Sequence, residues 1–361
     1  VIVAMISTSP SVVSSAVAGA KNQRHRTTVA RPGDSLRRIS CAVAIAVSLA
    51  LTAACGGSGG QENAGGLERP HLTVGTLPVP DAAPLFIARE KGLFKREGLD
   101  VKVQIIQAGP MAVPSLQSGT LDIALTNYVS AITAAEKGMV HWKFLADSYQ
   151  AGPGAFVVLA LPGSPIKTEK DLAGKKIAVP ALKAIGTLMI SATLASHNVS
   201  GNAAEFVEMP FPQMPAALQQ KRVDAIWAAE PFITAAQTLG AHEVMDTCAS
   251  GSLTVGFPVA GWGTLDFWLK KNPKTAAAFQ RAIGEAQQQA AADRGLVSKI
   301  LPKYIKGITP DTAQLVTLGT YPTTLDAGRL QRVADLMQQY GYIERKVDVA
   351  GMIARQPAHA Q

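Results

Sequence analysis

The rhythm of apolar and polar positions becomes clearly readable over Leu72–Val103. An apolar run, Leu72 to Leu77, ends in the turn Pro78-Val79-Pro80-Asp81. The segment from Ala82 then sets Leu85, Phe86, Leu93 and Phe94 against charged Arg89, Glu90, Lys91, Lys95 and Arg96, with breaks at Gly92 and Gly98. Val101-Lys102-Val103 opens a second strand. This order predicts strand, turn, helix, strand, the opening of a parallel α/β sheet. Asp81 is expected to cap the helix, and Pro84 is tolerated in a first turn, where its missing N–H would be unpaired anyway. The turn joins a strand's carboxyl end to a helix's amino end, where open α/β sheets bind ligands.

The pattern repeats. Residues 100 to 134 read strand, Pro-rich loop, short helix, strand, loop, helix, and a shift of 102 residues gives the same order from Phe206 onward. Pro110 then meets Pro212, Leu116 meets Leu218, Asp122 meets Asp224, and Tyr128 meets Glu230. Two lobes of like construction follow from this echo. Ala155 to Leu161 is a continuous apolar strand, and Phe257 to Gly263 reads as a strand returning to lobe one. The expected boundaries are 71–161 for the first part of lobe one, 162–254 for lobe two and 255–361 for the return and the terminal helices. Pro and Gly near 162 and 256 suit crossovers about which lobes rotate. From Lys274 the pattern is helical, with Ala276 to Arg294 and Arg329 to Tyr340 as the longest stretches and a further start at Pro310.

The first 70 residues have a different character. Arg24, Arg26, Arg31, Arg37 and Arg38 precede an uncharged run, Ile39 to Ala54, which is short for a membrane span. Leu51-Thr52-Ala53-Ala54-Cys55 is read as a lipobox, giving a signal peptide over 1–55 whose Cys55 would carry lipid, and a flexible polar tether over 56–70. This changes the picture of charge. The chain carries +8, but the leader holds six of its 34 basic and one of its 26 acidic residues, so the remainder carries only +3. The basic balance is therefore no argument for nucleic acid. Of three cysteines only Cys248 would be a free thiol, which excludes an internal disulfide and reads as a small buried residue. About 300 residues remain, enough for two lobes with real cores.

Pro84 to Val103 (PLFIAREKGLFKREGLDVKV) resembles the first helix of substrate-binding proteins of ABC importers, in the group serving nitrate, sulfonate, taurine and thiamine-precursor uptake. Leu116 to Thr126, Asp171 to Ala181 and Ala228 to Thr234 carry the same resemblance, which spans roughly 72 to 342. It implies a two-lobed periplasmic-binding-protein-like fold of type II, with a ligand cleft between lobes joined by hinge crossovers. It further implies a small-molecule solute, an ABC permease with its ATPase as partner, no cofactor, and a place outside the cytoplasmic membrane, here anchored through Cys55.

The loops that follow strand ends supply the candidate site. They hold Asp81, then Gly109, then Asn127 and Tyr128 in lobe one, and Ile185, Gly186 and Thr187 at a helix start in lobe two. Gly109 allows close backbone approach, Tyr128 offers a flat face with a hydroxyl, and the helix start offers free N–H groups. Glu230, the shift partner of Tyr128, is expected to face it across the cleft. Trp227 reads as lobe-two core and Trp262 as an edge of the cleft. The sequence has no Walker motif, HExxH, GxSxG or paired CxxC, and its histidines lack ligand spacing. Binding is the leading expectation. An enzyme on the same scaffold, in pyrimidine or menaquinone precursor synthesis, and a sensor for a membrane receptor are the rivals. Asp81 and Glu230 point toward a zwitterion or an amine-bearing heterocycle, while Lys183, available as a cation, keeps nitrate or a simple sulfonate open.

Overall fold

A computed structural model describes residues 66–201 and 203–357. The leader, Cys55 and most of the tether lie outside the described residues. Among the described residues ten strands form two five-stranded sheets. The first sheet holds β1 (His71–Thr76), β2 (Asp100–Ile105), β3 (Ile123–Asn127) and β4 (Trp142–Gln150). The second holds β5 (Val157–Ala160), β6 (Lys176–Val179), β7 (Glu205–Glu208), β8 (Ala225–Ala228) and β9 (His242–Asp246), and β10 (Pro258–Leu265) completes the first. The strand orders are β2-β1-β3-β10-β4 and β7-β6-β8-β5-β9.

These orders are one topology used twice. In each sheet a central strand pairs in parallel with two neighbours, β1 with β2 and β3, and β6 with β7 and β8. In each, an antiparallel strand then separates the third parallel strand from the last, β10 in the first sheet and β5 in the second. The echo reaches short elements too: the turn Gly109–Met111 and helix Ala112–Gln117 recur 102 residues later as Phe211–Gln213 and Met214–Gln219. Asp122 accepts from Thr73 N–H at 2.8 Å, and its shift partner Asp224 accepts from Lys176 N–H at 2.9 Å. Each carboxylate ties the loop before its lobe's third parallel strand, β3 or β8, to the central parallel strand, β1 or β6.

Because β5 pairs with β8 and β9, the crossing into lobe two precedes Val157 rather than falling at 161 and 162. The apolar run at 155–161 marks a buried strand but does not say which sheet buries it. The return crossing runs between Asp246 and Pro258. The terminal helices pack on lobe one: Pro273–Ala292 lies against Ala83–Glu90, Phe94 stacks on Phe279 at 5.6 Å, and Phe86 stacks on Tyr304 at 4.3 Å. Pro310 starts no helix; a single turn, Thr312–Gln314, follows it. Cys248 is fully buried and burial pushes its thiol pKa up. Among the described residues no helix is long and apolar enough to cross a membrane, and no group of three or more His, Cys, Asp or Glu side chains could hold a metal ion.

Candidate functional site

Strand ends from both sheets meet at a cavity of about 50 Å³, several times the roughly 10–15 Å³ that admits one water. Lobe one contributes the turn after β1, with Leu77, Val79 and Asp81, then Gly109, and then Thr126 and Asn127 at the end of β3. Lobe two contributes Ala184, Ile185 and Gly186, and a group of rings, Phe156, Phe211 and Trp227. The returning strand β10 adds Val259 and Ala260. The wall is therefore largely apolar, and Asp81 is the one lining residue with an ionisable side chain among the described residues.

Asp81 does not cap the following helix. It sits inside the turn Pro80–Ala82, which leads directly into helix Ala83–Glu90 with Pro84 in its first turn. The turn is fixed from behind: Ser148 donates to Asp81 O at 2.6 Å and Tyr321 donates to Pro80 O at 3.0 Å. Asp81 is 6% exposed, and its carboxyl Oδ1 is buried without a hydrogen-bond partner. Burial raises its pKa to about 7, offset only by its own backbone N–H.

Asn127 ends β3 and caps the next helix by accepting from Ser130 N–H at 2.8 Å. Its amide nitrogen is held against Gly109, where an added Cβ would lie 2.5 Å from Nδ2. Opposite, helix Ile185–Ser196 begins at the cavity. Its first-turn N–H groups lie beyond intrahelical pairing. The Thr187 hydroxyl accepts from Ala184 N–H at 3.1 Å and donates to Ala184 O at 2.9 Å, which fixes this start. Gly186 is there because nothing larger fits: a Cβ would approach Trp227 Cε3 to 2.8 Å. Trp227 stacks on Phe156 at 5.0 Å and 11°, lies 6.0 Å from Phe211, and donates its indole N–H to Thr247 at 3.1 Å.

Five of the eight sequence candidates, Asp81, Gly109, Asn127, Ile185 and Gly186, thus come together in the lining. Thr187 stands one residue behind it as the lock of the helix start. Tyr128 and Glu230 are not brought face to face across the cavity. Tyr128 is fully buried in lobe one, edge-on to Phe144 at 4.8 Å and covered by Gly261, where a Cβ would lie 2.6 Å from its hydroxyl. That hydroxyl faces Asp147, which pairs with Arg329, and burial followed by the Asp147 charge raises its pKa well above the usual phenol range. Glu230 accepts from Thr234 N–H at 3.1 Å and from its hydroxyl at 3.0 Å, closing the first turn of helix Phe232–Thr238. Burial pushes its carboxyl pKa up, and bonds from Thr234 and the Thr317 N–H oppose that. Trp262 is buried against Phe279 and does not edge the cleft. Sequence reading did not assign the ring group to the site, although the shift that pairs Gly109 with Phe211 and Leu125 with Trp227 places both rings at site positions.

The model of the family described as NMT1/THI5 like matches residues 79–294. A nitrate/nitrite binding protein of Nostoc is 26% identical over 255 residues, covering 63% of this chain. The matched part is only 55% of the Nostoc protein, so the chain spans little more than half of that relative. A putative aliphatic sulfonates-binding protein of Escherichia coli is 24% identical over 286 residues, covering 73% of this chain and 83% of the relative. Among solved structures, the alkanesulfonate-binding protein of Xanthomonas axonopodis, bound to MOPS, superposes with a TM-score of 0.66 at 18% identity, covering 79% of this chain and 98% of that one. The likeness to that structure carries the fold, a two-lobed periplasmic-binding-protein architecture. The family match covers more than half of the sequence, and the chain belongs to the NMT1/THI5 like family.

Proposed function

We propose that this chain is a solute-binding component of an ABC import system. It captures a small polar solute, of the sulfonate, nitrate, taurine or thiamine-precursor kind, between its lobes and delivers it to a permease with its ATPase. The observation that carries this reading is the cavity itself, walled by strand ends of two sheets that two chain crossings connect. A site divided between two bodies is one that closes when they rotate together. Among the described residues the lining offers a single ionisable side chain and no pairing of a nucleophile with a base, which favours binding over catalysis. The relatives named for nitrate and sulfonate binding support the same role. Tethering at the outer face of the membrane through lipidated Cys55 belongs to this reading.

The test is a thermal-shift panel of sulfonates, taurine, nitrate and pyrimidines, because a ligand that binds only the native state raises its apparent stability. Small-angle scattering with the best ligand should give a smaller radius of gyration than the free chain. A panel without any stabilising ligand, or an unchanged scattering profile under proven saturation, counts against capture by closure. Anchoring is checked separately: Cys55→Ser should leave an unprocessed precursor that takes up no labelled lipid.

A further inference from the structure

We infer that the cavity selects a flat, positively charged solute, an amidinium or a protonated ring amine, over the oxyanions for which its relatives are named. This rests on the solute-binding reading above. Asp81 lines the cavity, is more than nine-tenths buried, and keeps its Oδ1 without a hydrogen-bond partner. A buried carboxylate with an open acceptor is costly until a donor, best a charged one, reaches it. An incoming cationic N–H removes that cost, whereas an oxyanion adds a second negative charge beside the first.

The rest of the lining points the same way. Among the described residues it holds no lysine, arginine or histidine, and Lys183, just before the helix start, is exposed and outside it. Phe156, Phe211 and Trp227, stacked on one another, line the cavity with apolar ring surface that suits a flat unsaturated group better than a compact hydrated anion. Asn127 adds a neutral polar group. The groups facing Asp81 from neighbouring elements are the phenols of Tyr149 on β4 and Tyr321 beyond it, both kept neutral by burial. Arg294, which faces those phenols, is engaged by Val316 O at 2.7 Å. Among the described residues no charged group pairs with the Asp81 carboxyl, and burial carries its pKa to about 7.

The experiment uses pairs of probes that match in shape and reverse in charge: benzamidinium against benzoate, and guanidinium at low concentration against nitrate. Calorimetry at about pH 8 should show each cation binding at least about tenfold more tightly than its anionic twin. Asp81→Asn should weaken benzamidinium about ten- to a hundredfold, the loss of one charge-assisted bond, and leave benzoate unchanged or improved. Benzamidinium affinity should rise from about pH 5.5 to 8.5 as Asp81 ionises, and the Asn variant should lose that slope. Asn127→Asp keeps a good helix cap while adding a negative charge to the wall. It should tighten benzamidinium and weaken nitrate, even if the Asp81 variant folds poorly. Tighter binding by nitrate or benzoate overturns the inference and leaves solute capture standing. Failure of both members of both pairs also overturns it, while capture itself falls only if the wider panel fails as well.

Discussion

The two lobes share one strand order, yet they bring opposite chemistry to the cavity between them. Where lobe one has Gly109 and Leu125, lobe two has Phe211 and Trp227 at the shifted positions. Where lobe one ends its central parallel strand in a turn carrying Asp81, lobe two ends its own in a turn carrying Ala184. One half supplies the charge and the polar edge; the other supplies rings and a helix start. The parts that build each sheet are alike, as Asp122 and Asp224 show, while the residues at the strand ends have diverged. Duplicated architecture here fixes where a site falls and leaves its chemistry free.

The sharpest way to separate the halves is by pH. Asp81 is protonated more readily in the folded chain, with a pKa near 7, than when unfolded at 3.8. The folded state therefore holds the extra proton, and apo stability should fall as pH rises from about 4 to about 7, by up to on the order of 4 kcal/mol. Asp81→Asn should remove that fall and raise the melting temperature at about pH 8. A wild-type chain whose melting temperature stays level across this window would show that Asp81 is hydrated or paired in solution. Ala184→Asp, its lobe-two counterpart, tests whether a buried carboxyl at this point always behaves so.

Next come the paired aspartates. Asp122 is buried and also receives Arg69 at 2.6 Å and the Trp268 indole N–H at 3.0 Å, whereas Asp224 is exposed. Asp122→Ala should cost about 2–4 kcal/mol in urea unfolding, because buried donors lose their acceptor. Asp224→Ala should cost about 1 kcal/mol or less. Equal losses would break the distinction. The two glycines give a smaller contrast. Gly186→Ala drives a methyl into the rigid Trp227 ring and should cost roughly 1–3 kcal/mol along with most of the binding. Gly109→Ala meets the Asn127 amide, which can turn aside, so it should weaken binding with little loss of stability. Smallest are the two residues held away from the cavity. Tyr128→Phe and Glu230→Gln should keep affinity within about twofold, and Glu230→Gln should lower stability by about 1 kcal/mol through its helix start. Calorimetry showing a tenfold loss for either would return that residue to the site.

What the sequence made legible was mostly backbone. Runs of apolar residues located strands, and turns with Pro, Asp and Gly located the loops at their ends, so Asp81, Gly109, Asn127, Ile185 and Gly186 could be named from position alone. Side-chain direction was not legible. Tyr128 begins a helix immediately after Asn127, yet its ring turns inward beneath β10, because Gly261 leaves the space for it. Trp227 looked like core and is core, packed closely against Gly186 at the cavity wall; a contact between residues so far apart in the chain has no local signal. The sheet that claims Val157–Ala160 was hidden for the same reason, since strand pairing is decided by distant partners.

The strand order has one more consequence, in the time domain. Lobe two is continuous, from Val157 to Asp246, and its sheet is complete when β9 has been made. Lobe one is made first but cannot finish: β10 belongs between β3 and β4, and it emerges only after all of lobe two. Until then β3 and β4 each expose an unpaired edge, the kind of surface that invites wrong partners. The half that carries Asp81 is thus the earlier to be synthesised and the later to close, and a chain arrested before Pro258 should hold a finished second lobe beside an open first one.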